Sequence, residues 1–157
     1  MDINTLLKDP EEMKQFRTNA KAILSKPVPK EQIKHRDVAG TTLDYVEGAY
    51  VIRVLNKAFD NCWDWVIEDV NIVPSEPKTI KYEWKSGRKV NLETPKLEPQ
   101  PPVCHVRGSL VVPGFGRRAG FGSKVLIGGA SEQESCFKSA NTDALKVAAK
   151  LFGIALD

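Results

Sequence analysis

Long apolar runs are missing from this sequence of 157 residues. None approaches the roughly 20 residues with which a helix crosses a bilayer. The first residues, "MDINTLLKDPEEMKQF", are acidic and amphipathic, unlike a signal peptide with a basic start and an apolar core. These absences argue against a membrane or secreted protein and predict a cytoplasmic one.

Cysteine is scarce, and its spacing fits neither a disulfide framework nor a zinc site. Cys62, Cys104 and Cys136 cannot all pair within one chain, and no two have C-x-x-C spacing. Cys104 adjoins His105, but neighbours along a strand point to opposite faces, which disfavours a catalytic dyad. We predict reduced thiols, no catalytic residue, no metal and no cofactor, and we keep a Cys–His enzyme as a weaker alternative.

The excess of positive charge is small, with 23 Lys and Arg against 20 Asp and Glu and a net charge of +3. This balance permits a nucleic-acid partner without requiring one. The distribution of the charge is more informative than the total, and it predicts a polarised protein with one basic face or groove. Positive residues cluster at "KHR" (34–36), along "KYEWKSGRK" (81–89), at Arg117 and Arg118, and on the last helix.

Hydrophobic spacing predicts two helices in the first third of the chain. Apolar residues recur at helical intervals over residues 4–24, with an interruption near Asp9-Pro10, where proline can begin a new helix. A second helix is predicted over residues 47–59. Its apolar face consists of Tyr50, Val51, Val54, Leu55, Ala58 and Phe59.

The middle of the chain is predicted to be antiparallel β-structure. "CWDWVIEDVNIVP" (62–74) predicts a strand with a bulge near Glu68-Asp69. "TIKYEWKSGRKVNLE" (79–93) predicts a hairpin that turns at Ser86-Gly87. The proline-rich "TPKLEPQPP" (94–102) is expected to be a connection that does not pair in a sheet's interior.

The glycine-rich "GFGRRAGFGS" (114–123) lacks the context of a phosphate-binding loop or a dinucleotide fingerprint. It predicts a hairpin between a strand over residues 103–112 and another near residues 119–126. Arg117 and Arg118 are placed at its tip. They are candidate DNA contacts, with solvated surface charge as the alternative.

A final helix is predicted from "GGASEQES" (128–135) onward, with Ser131 as N-cap and Glu134 completing a capping box. Small residues on its apolar face would let it seat close to a sheet. Lys146 and Lys150 lie one turn apart, about 6 Å, close to the phosphate spacing of a nucleic-acid strand. Spacing alone leaves two interpretations open: phosphate contacts, or a solvated face on which Asp143 pairs weakly with Lys146.

The order of elements predicts an α+β protein, with a curved antiparallel sheet, helices packed on one face and an extra β-hairpin. We expect a single domain over residues 1–157, with a helical segment at 1–30 and the core at 31–157.

Two segments resemble the single-strand annealing proteins of the Rad-fifty-two superfamily, a group that includes phage Sak recombinases and the bacterial DNA-damage protein DdrA. They are "YVEGAYVIRVLNKAFDNCW" (45–63) and "KSANTDALKVAAKLFG" (138–153). With the strands between, the resemblance covers about residues 31–156. It implies a β-β-β-α core and protomers joined into a ring. It also implies a basic groove that holds single-stranded DNA by its backbone, without nucleotide hydrolysis or a metal.

Carried over by position, the resemblance implies DNA contacts from Lys146, Lys150 and Arg36, with Tyr45 at the mouth of the groove. Lys34, in the same basic segment as Arg36, is a further candidate. Val147 stands where eukaryotic members have a second consecutive basic residue, so we expect weaker binding or a shifted DNA path.

The hairpin is longer than the compact connection of eukaryotic members. Its Lys81, Lys85, Arg88 and Lys89 either add a second DNA contact or keep an exposed hairpin soluble, and both interpretations stay open. The sequence ends at Asp157, without the C-terminal partner-binding tail of longer relatives. A partnership with other recombination or single-stranded-DNA-binding proteins is therefore left open.

The expected function is a non-enzymatic homo-oligomeric ring that binds single-stranded DNA and promotes annealing in recombination and double-strand-break repair. Its expected place is the cytoplasm of a bacterial or phage-infected cell, at the nucleoid. The nearest alternative is a DdrA-like protein that protects single strands or 3′ ends from nucleases with little annealing. A purely structural oligomer is a third possibility.

Overall fold

Three α-helices, a short 3-10 helix (Lys30–Gln32) and seven strands follow one another in the computed structural model, which describes residues 8–38, 40–128 and 130–154. In chain order the α-helices and strands are α1 (Pro10–Leu24), β1 (Lys34–Val38), β2 (Thr41–Tyr45), α2 (Gly48–Phe59), β3 (Asp64–Val73), β4 (Lys78–Lys85), β5 (Arg88–Glu98), β6 (Val103–Val112), β7 (Gly116–Val125) and α3 (Ala130–Lys150). All strand pairs are antiparallel. The prediction of an α+β protein is confirmed.

The central sheet has the strand order β3-β6-β7, and α3 follows it in a β-β-β-α arrangement. Hairpin β4–β5 is inserted between β3 and β6. Alternate residues of β6, such as Val106 and Leu110, are buried on the face that α3 covers. The opposite face carries Arg107 and Ser109 of β6. It also carries the odd-numbered residues of β7, because paired residues share a side of the sheet.

Helix α3 approaches the sheet closely because both surfaces carry small residues. Gly120 and Gly122 of β7 face the helix, and a Cβ at either position would collide with the backbone oxygen of Ala144 or of Ala140. Both alanines are fully buried. We call these four residues the glycine–alanine seam. The seam fixes the helix at backbone distance from β7, as the small residues of the final helix predict.

Helices α1 and α2 pack together beside the β6–β7 turn, where four phenylalanines form a cluster. Their ring centroids lie between 5.2 and 6.4 Å apart, and most pairs meet edge to face. The cluster consists of Phe16, Phe59, Phe115 and Phe152. It ties α1, α2, the turn and the segment after α3 into one core.

The ends of α1 and α2 match the predictions closely. Pro10 begins α1, and the carboxylate of Asp9 caps it by accepting the backbone N–H groups of Glu11 (2.8 Å) and Glu12 (3.2 Å). The apolar face predicted for α2 is buried or packed against the core. The first part of the first prediction, residues 4–7, lies outside the described residues.

The bulge in β3 is confirmed by a shift of register between Ile67 and Asp69. The prediction for "TPKLEPQPP" is wrong in part, since β5 continues to Glu98 and Leu97 pairs with Thr79. Pairing is possible because a two-stranded ribbon has no interior. Pro95 falls in the irregular stretch where the register shifts, so its missing N–H costs no ladder bond.

The predicted place of Arg117 and Arg118 at the tip of a turn is also wrong. Arg117 and Arg118 lie within β7, paired with Val111 and Leu110, because the turn closes earlier, with the Phe115 N–H bonded to the Val112 oxygen at 3.1 Å. The predicted N-cap at Ser131 lies outside the residues whose side chains the structure describes, at the start of α3.

Strands β4 and β5 form an arm that makes no substantial contact with another helix or strand of the described residues. We call residues 78–98 the hairpin arm. It turns at Ser86-Gly87, both with positive φ, as predicted. A hydrogen bond from Ser75 Oγ to the Pro101 oxygen (2.7 Å) joins the segments at its base. Within the described part of the chain, no helix has the length and apolar character needed to cross a membrane.

Candidate nucleic-acid interface

Hairpin β1–β2 places three predicted DNA-binding residues on one side. Lys34 pairs with Tyr45 and Arg36 pairs with Leu43, so all four side chains share a face. The guanidinium carbon of Arg36 lies 5.9 Å from the centre of the Tyr45 ring, within cation–π range. The ring therefore orients the Arg36 cation while leaving its N–H donors exposed.

The other face of this hairpin holds its acidic residues. His35 Nδ1 lies 2.6 Å from Asp44 Oδ1, and the Thr42 hydroxyl donates to Asp37 at 2.6 Å. Both carboxylates are thus engaged on the side away from Lys34 and Arg36. Strand alternation separates the charges and leaves one face of the hairpin cationic.

A cavity of about 230 Å³ lies between the end of β2, α2 and α3, and we call it the α3 groove. It brings together Tyr45, Lys146 and Lys150, three of the residues that the resemblance implies for DNA contact. Through Tyr45 it adjoins Arg36. Its lining consists of Asp44, Tyr45, Val46, Val51, Asp143, Lys146, Val147, Lys150 and Ile154.

The two helix lysines differ in their surroundings. Lys146 is only 24% exposed, and its ammonium lies 2.6 Å from Asp143 Oδ1. The intrahelical pair that spacing allows therefore forms. Lys150 is exposed and has no ion-pair partner among the residues that the structure describes. Val147, between them in sequence, is exposed at the same groove.

Contacts on both sides of α3 hold the groove in shape. The indole N–H of Trp65 on β3 donates to Asn141 Oδ1 on the helix at 2.8 Å. Gly48, the first residue of α2, lies so close to Thr142 that a Cβ there would overlap the threonine methyl. The glycine of the "YVEG" segment thus lets α2 begin directly against α3.

The structure does not bring Arg117 or Arg118 to the α3 groove. Arg117 is bound to Glu68, whose carboxylate also accepts from Ser109 Oγ and lies 3.2 Å from Arg107 Nε. Arg118 lies on the other side of the strand, with its guanidinium 5.3 Å from the centre of the Phe152 ring. Internal contacts thus engage both arginines that the sequence offered as DNA contacts.

Glu68 is the residue that sequence reasoning missed. The hydrogen bond from Ser109, followed by that from Arg117, lowers the pKa of Glu68 below its ordinary value. Glu68 lies two residues after Val66, which pairs with Ser109, so strand alternation places it on the uncovered face of the sheet with Arg107 and Arg117. The predicted bulge and the alternation of side chains along the strands were the sequence features that could have indicated this position of Glu68.

The four basic residues predicted on the hairpin arm also lie away from the α3 groove. Lys85 lies 2.6 Å from Glu83, and the Lys89 ammonium lies 3.9 Å from the centre of the Tyr82 ring. Lys81 and Arg88 are exposed. The arm is a separate basic surface.

The Cys104–His105 pair has the geometry expected of strand neighbours. Cys104 is fully buried and His105 is exposed on the opposite face. Burial, together with a hydrogen bond to Cys136, raises the pKa of Cys104 to about 11. A thiolate is therefore disfavoured there. Across residues 8–38, 40–128 and 130–154, no three His, Cys, Asp or Glu side chains group as metal ligands.

The fold and the groove define an α+β protein in which a helix on an antiparallel sheet and a β-hairpin with one cationic face border one cleft. The chain belongs to the Rad52/22 family of double-strand break repair proteins, whose family model matches residues 17–156. This membership places it in DNA repair and recombination and confirms the resemblance stated from its motifs. No curated protein matches the sequence.

Proposed function

We propose that this protein binds single-stranded DNA along the α3 groove and promotes annealing of complementary strands as a homo-oligomeric ring. The observation that carries the proposal is the convergence of Tyr45, Lys146 and Lys150 on one cavity, with Arg36 beside Tyr45. These residues come from two segments about 100 positions apart in sequence, both within the family match.

The arrangement suits the sugar-phosphate backbone of one strand. Lys146 and Lys150 lie one turn apart on α3, about 6 Å, and can meet neighbouring phosphates. Each neutralised phosphate releases condensed counterions, which gives affinity that falls with salt and does not depend on sequence. Binding through the backbone leaves the bases free to pair, and annealing then needs no covalent chemistry.

The lining of the groove carries two carboxylates, Asp44 and Asp143, beside its two lysines. Asp44 is engaged by His35, and Asp143 by Lys146. When DNA binds, Lys146 therefore exchanges the Asp143 carboxylate for a phosphate. Lys150 has no ion-pair partner to give up among the described residues, so a phosphate adds a new ion pair there. Lys150 and Arg36 are the stronger contacts in this proposal.

The test is a titration of a fluorescent single strand and its duplex across a salt series. Wild type is expected to prefer the single strand. Lys146→Ala/Lys150→Ala is expected to bind more weakly, with a salt slope shallower by about 1.4, or about 0.7 for each lost phosphate contact. The matched control is Lys138→Ala, which removes a lysine of the same helix that pairs with Glu134 at 2.5 Å. Equal losses in the double variant and the control would contradict the proposed site.

Two further measurements complete the test. Mixing complementary oligonucleotides with the protein distinguishes annealing from coating, since a protective protein would bind each strand without accelerating duplex formation. Native mass spectrometry reports whether the protomers assemble into a closed ring and with what copy number.

A further inference from the structure

The hairpin arm carries the net positive charge of the whole chain. Residues 78–98 contain six Lys and Arg and three Glu, a net charge of +3, which equals that of all 157 residues. The remaining 17 Lys and Arg are matched by 17 Asp and Glu. The arm projects from the body without substantial packing, so its charge faces solvent.

The arm also exposes aromatic side chains on one face. Tyr82 and Trp84 alternate along β4 and therefore point to the same side, with Lys89 opposite Trp84 in the register. Trp84 is 68% exposed. By contrast, Trp63 and Trp65 are half-buried and donate their indole N–H groups to Asn56 and Asn141 at 2.8 Å.

The need for solubility accounts for only part of this arrangement. Lysines on exposed strands prevent edge-to-edge association, but solubility alone would disfavour a tryptophan left in water beside them. Exposed aromatics interleaved with cations are the pattern by which proteins hold unpaired nucleic acid, with bases stacked on the rings and phosphates near the cations. The cation at Lys89 already lies 3.9 Å from the Tyr82 ring.

Charge favours a polyanion over a second copy of the arm. Two arms of net charge +3 would repel each other, whereas a DNA strand carries one negative charge per nucleotide. We propose that the hairpin arm is a second contact for single-stranded DNA, in which bases stack on Trp84 and Tyr82 while Lys89, on the same face of the arm, meets a phosphate. This inference rests on the proposed function, and it assigns the arm to bases and the α3 groove to backbone.

The experiment compares Trp84→Ala with two matched variants in the same single-strand titration. Loss of one stacking base is expected to weaken binding by at least about fivefold. Trp84→Phe should retain most of the affinity, since it keeps an aromatic face. Leu97→Ala removes a side chain of the same arm that is 71% exposed but not aromatic, and it should bind as wild type does.

The salt dependence distinguishes the loss of a stacking ring from the loss of a cation. Trp84→Ala should lower the affinity at every salt concentration and leave the salt slope unchanged, whereas Lys89→Ala should make the slope shallower by about 0.7. Trp84 fluorescence, taken as the difference between wild type and Trp84→Phe, should be quenched by a thymidine homopolymer.

Three results would overturn the inference. Equal binding by Trp84→Ala and wild type, with the α3 groove variants still impaired, would remove the arm and leave the proposed function intact. A change of copy number in native mass spectrometry of Trp84→Ala, without an intrinsic loss of affinity per protomer, would make the arm a contact between copies. No binding by wild type would remove both proposals.

Discussion

The ammonium of Lys146 lies 2.6 Å from the carboxylate of Asp143, three residues earlier on α3, inside the groove proposed for DNA. A carboxylate at this position competes with phosphate for the same cation. In the proposed site, Asp143 therefore occupies the position beside Lys146 that a DNA phosphate would take.

Asp143→Asn should increase the affinity for single-stranded DNA, because the ammonium no longer has to leave a carboxylate. Partly exposed ion pairs contribute about 0.2–1 kcal/mol, which corresponds to a gain of about 1.4- to fivefold. Fluorescence anisotropy of a labelled single strand at a fixed salt concentration measures this gain in affinity. The control is Glu134→Gln, which frees Lys138 outside the groove lining and should leave binding unchanged.

Val147→Lys should strengthen binding and make the salt slope steeper by about 0.7, since it adds one cation to the groove wall. Val147 is exposed, so the change should alter the free energy of unfolding by less than about 0.5 kcal/mol. Val147→Gln, of similar length and no charge, is the matched control. An unchanged slope in Val147→Lys would mean that the DNA path avoids this side of the helix.

Glu68→Gln should destabilise the fold at neutral pH by breaking the contacts with Ser109, Arg107 and Arg117. Because the pKa of Glu68 is lowered in the folded state, its stabilisation is fully present above the unfolded-state pKa, near 4.5. It is lost as the pH falls through the lower folded-state pKa. Urea unfolding at several pH values should show wild type and variant converging in strong acid, and a constant difference down to that range would contradict the prediction.

Gly120→Ala should destabilise the protein by about 1–3 kcal/mol or more, because the new Cβ would collide with the Ala144 backbone oxygen rather than with a movable side chain. Chemical denaturation measures the loss. Ser123→Ala, on the exposed face of the same strand, should remain within about 0.5 kcal/mol of wild type.

Local patterns predicted much of the fold. The start of α1 at Pro10, the face of α2, the turn at Ser86-Gly87 and the bulge near Glu68 each depend on a few consecutive residues, and all are present. The end of β5 and the start of β7 could not be read in the same way. They depend on which strand each segment pairs with and in what register, and a single-sequence pattern does not encode that pairing.

In the candidate site, too, local patterns could be predicted from the sequence, whereas tertiary arrangement could not. Lys146 and Lys150 are a local pattern, but their meeting with Tyr45 is a tertiary contact, suggested in advance only by family resemblance. Arg117 shows the reverse case. Its charge and apparent place in a turn suggested an accessible cation, yet the register of β3, β6 and β7 directs it to Glu68.

The glycine–alanine seam has a consequence for how the lysines of α3 are presented. Because helix and strand touch through backbone atoms, no side-chain rotation can raise, lower or tilt the helix on its support. The lysines of α3 are consequently carried on a fixed helix backbone, and the helical turn sets the spacing between them. In the proposed site, a flexible polymer that docks there must match the spacing of the helical turns, and ordering of the helix backbone adds little to the entropy lost on docking.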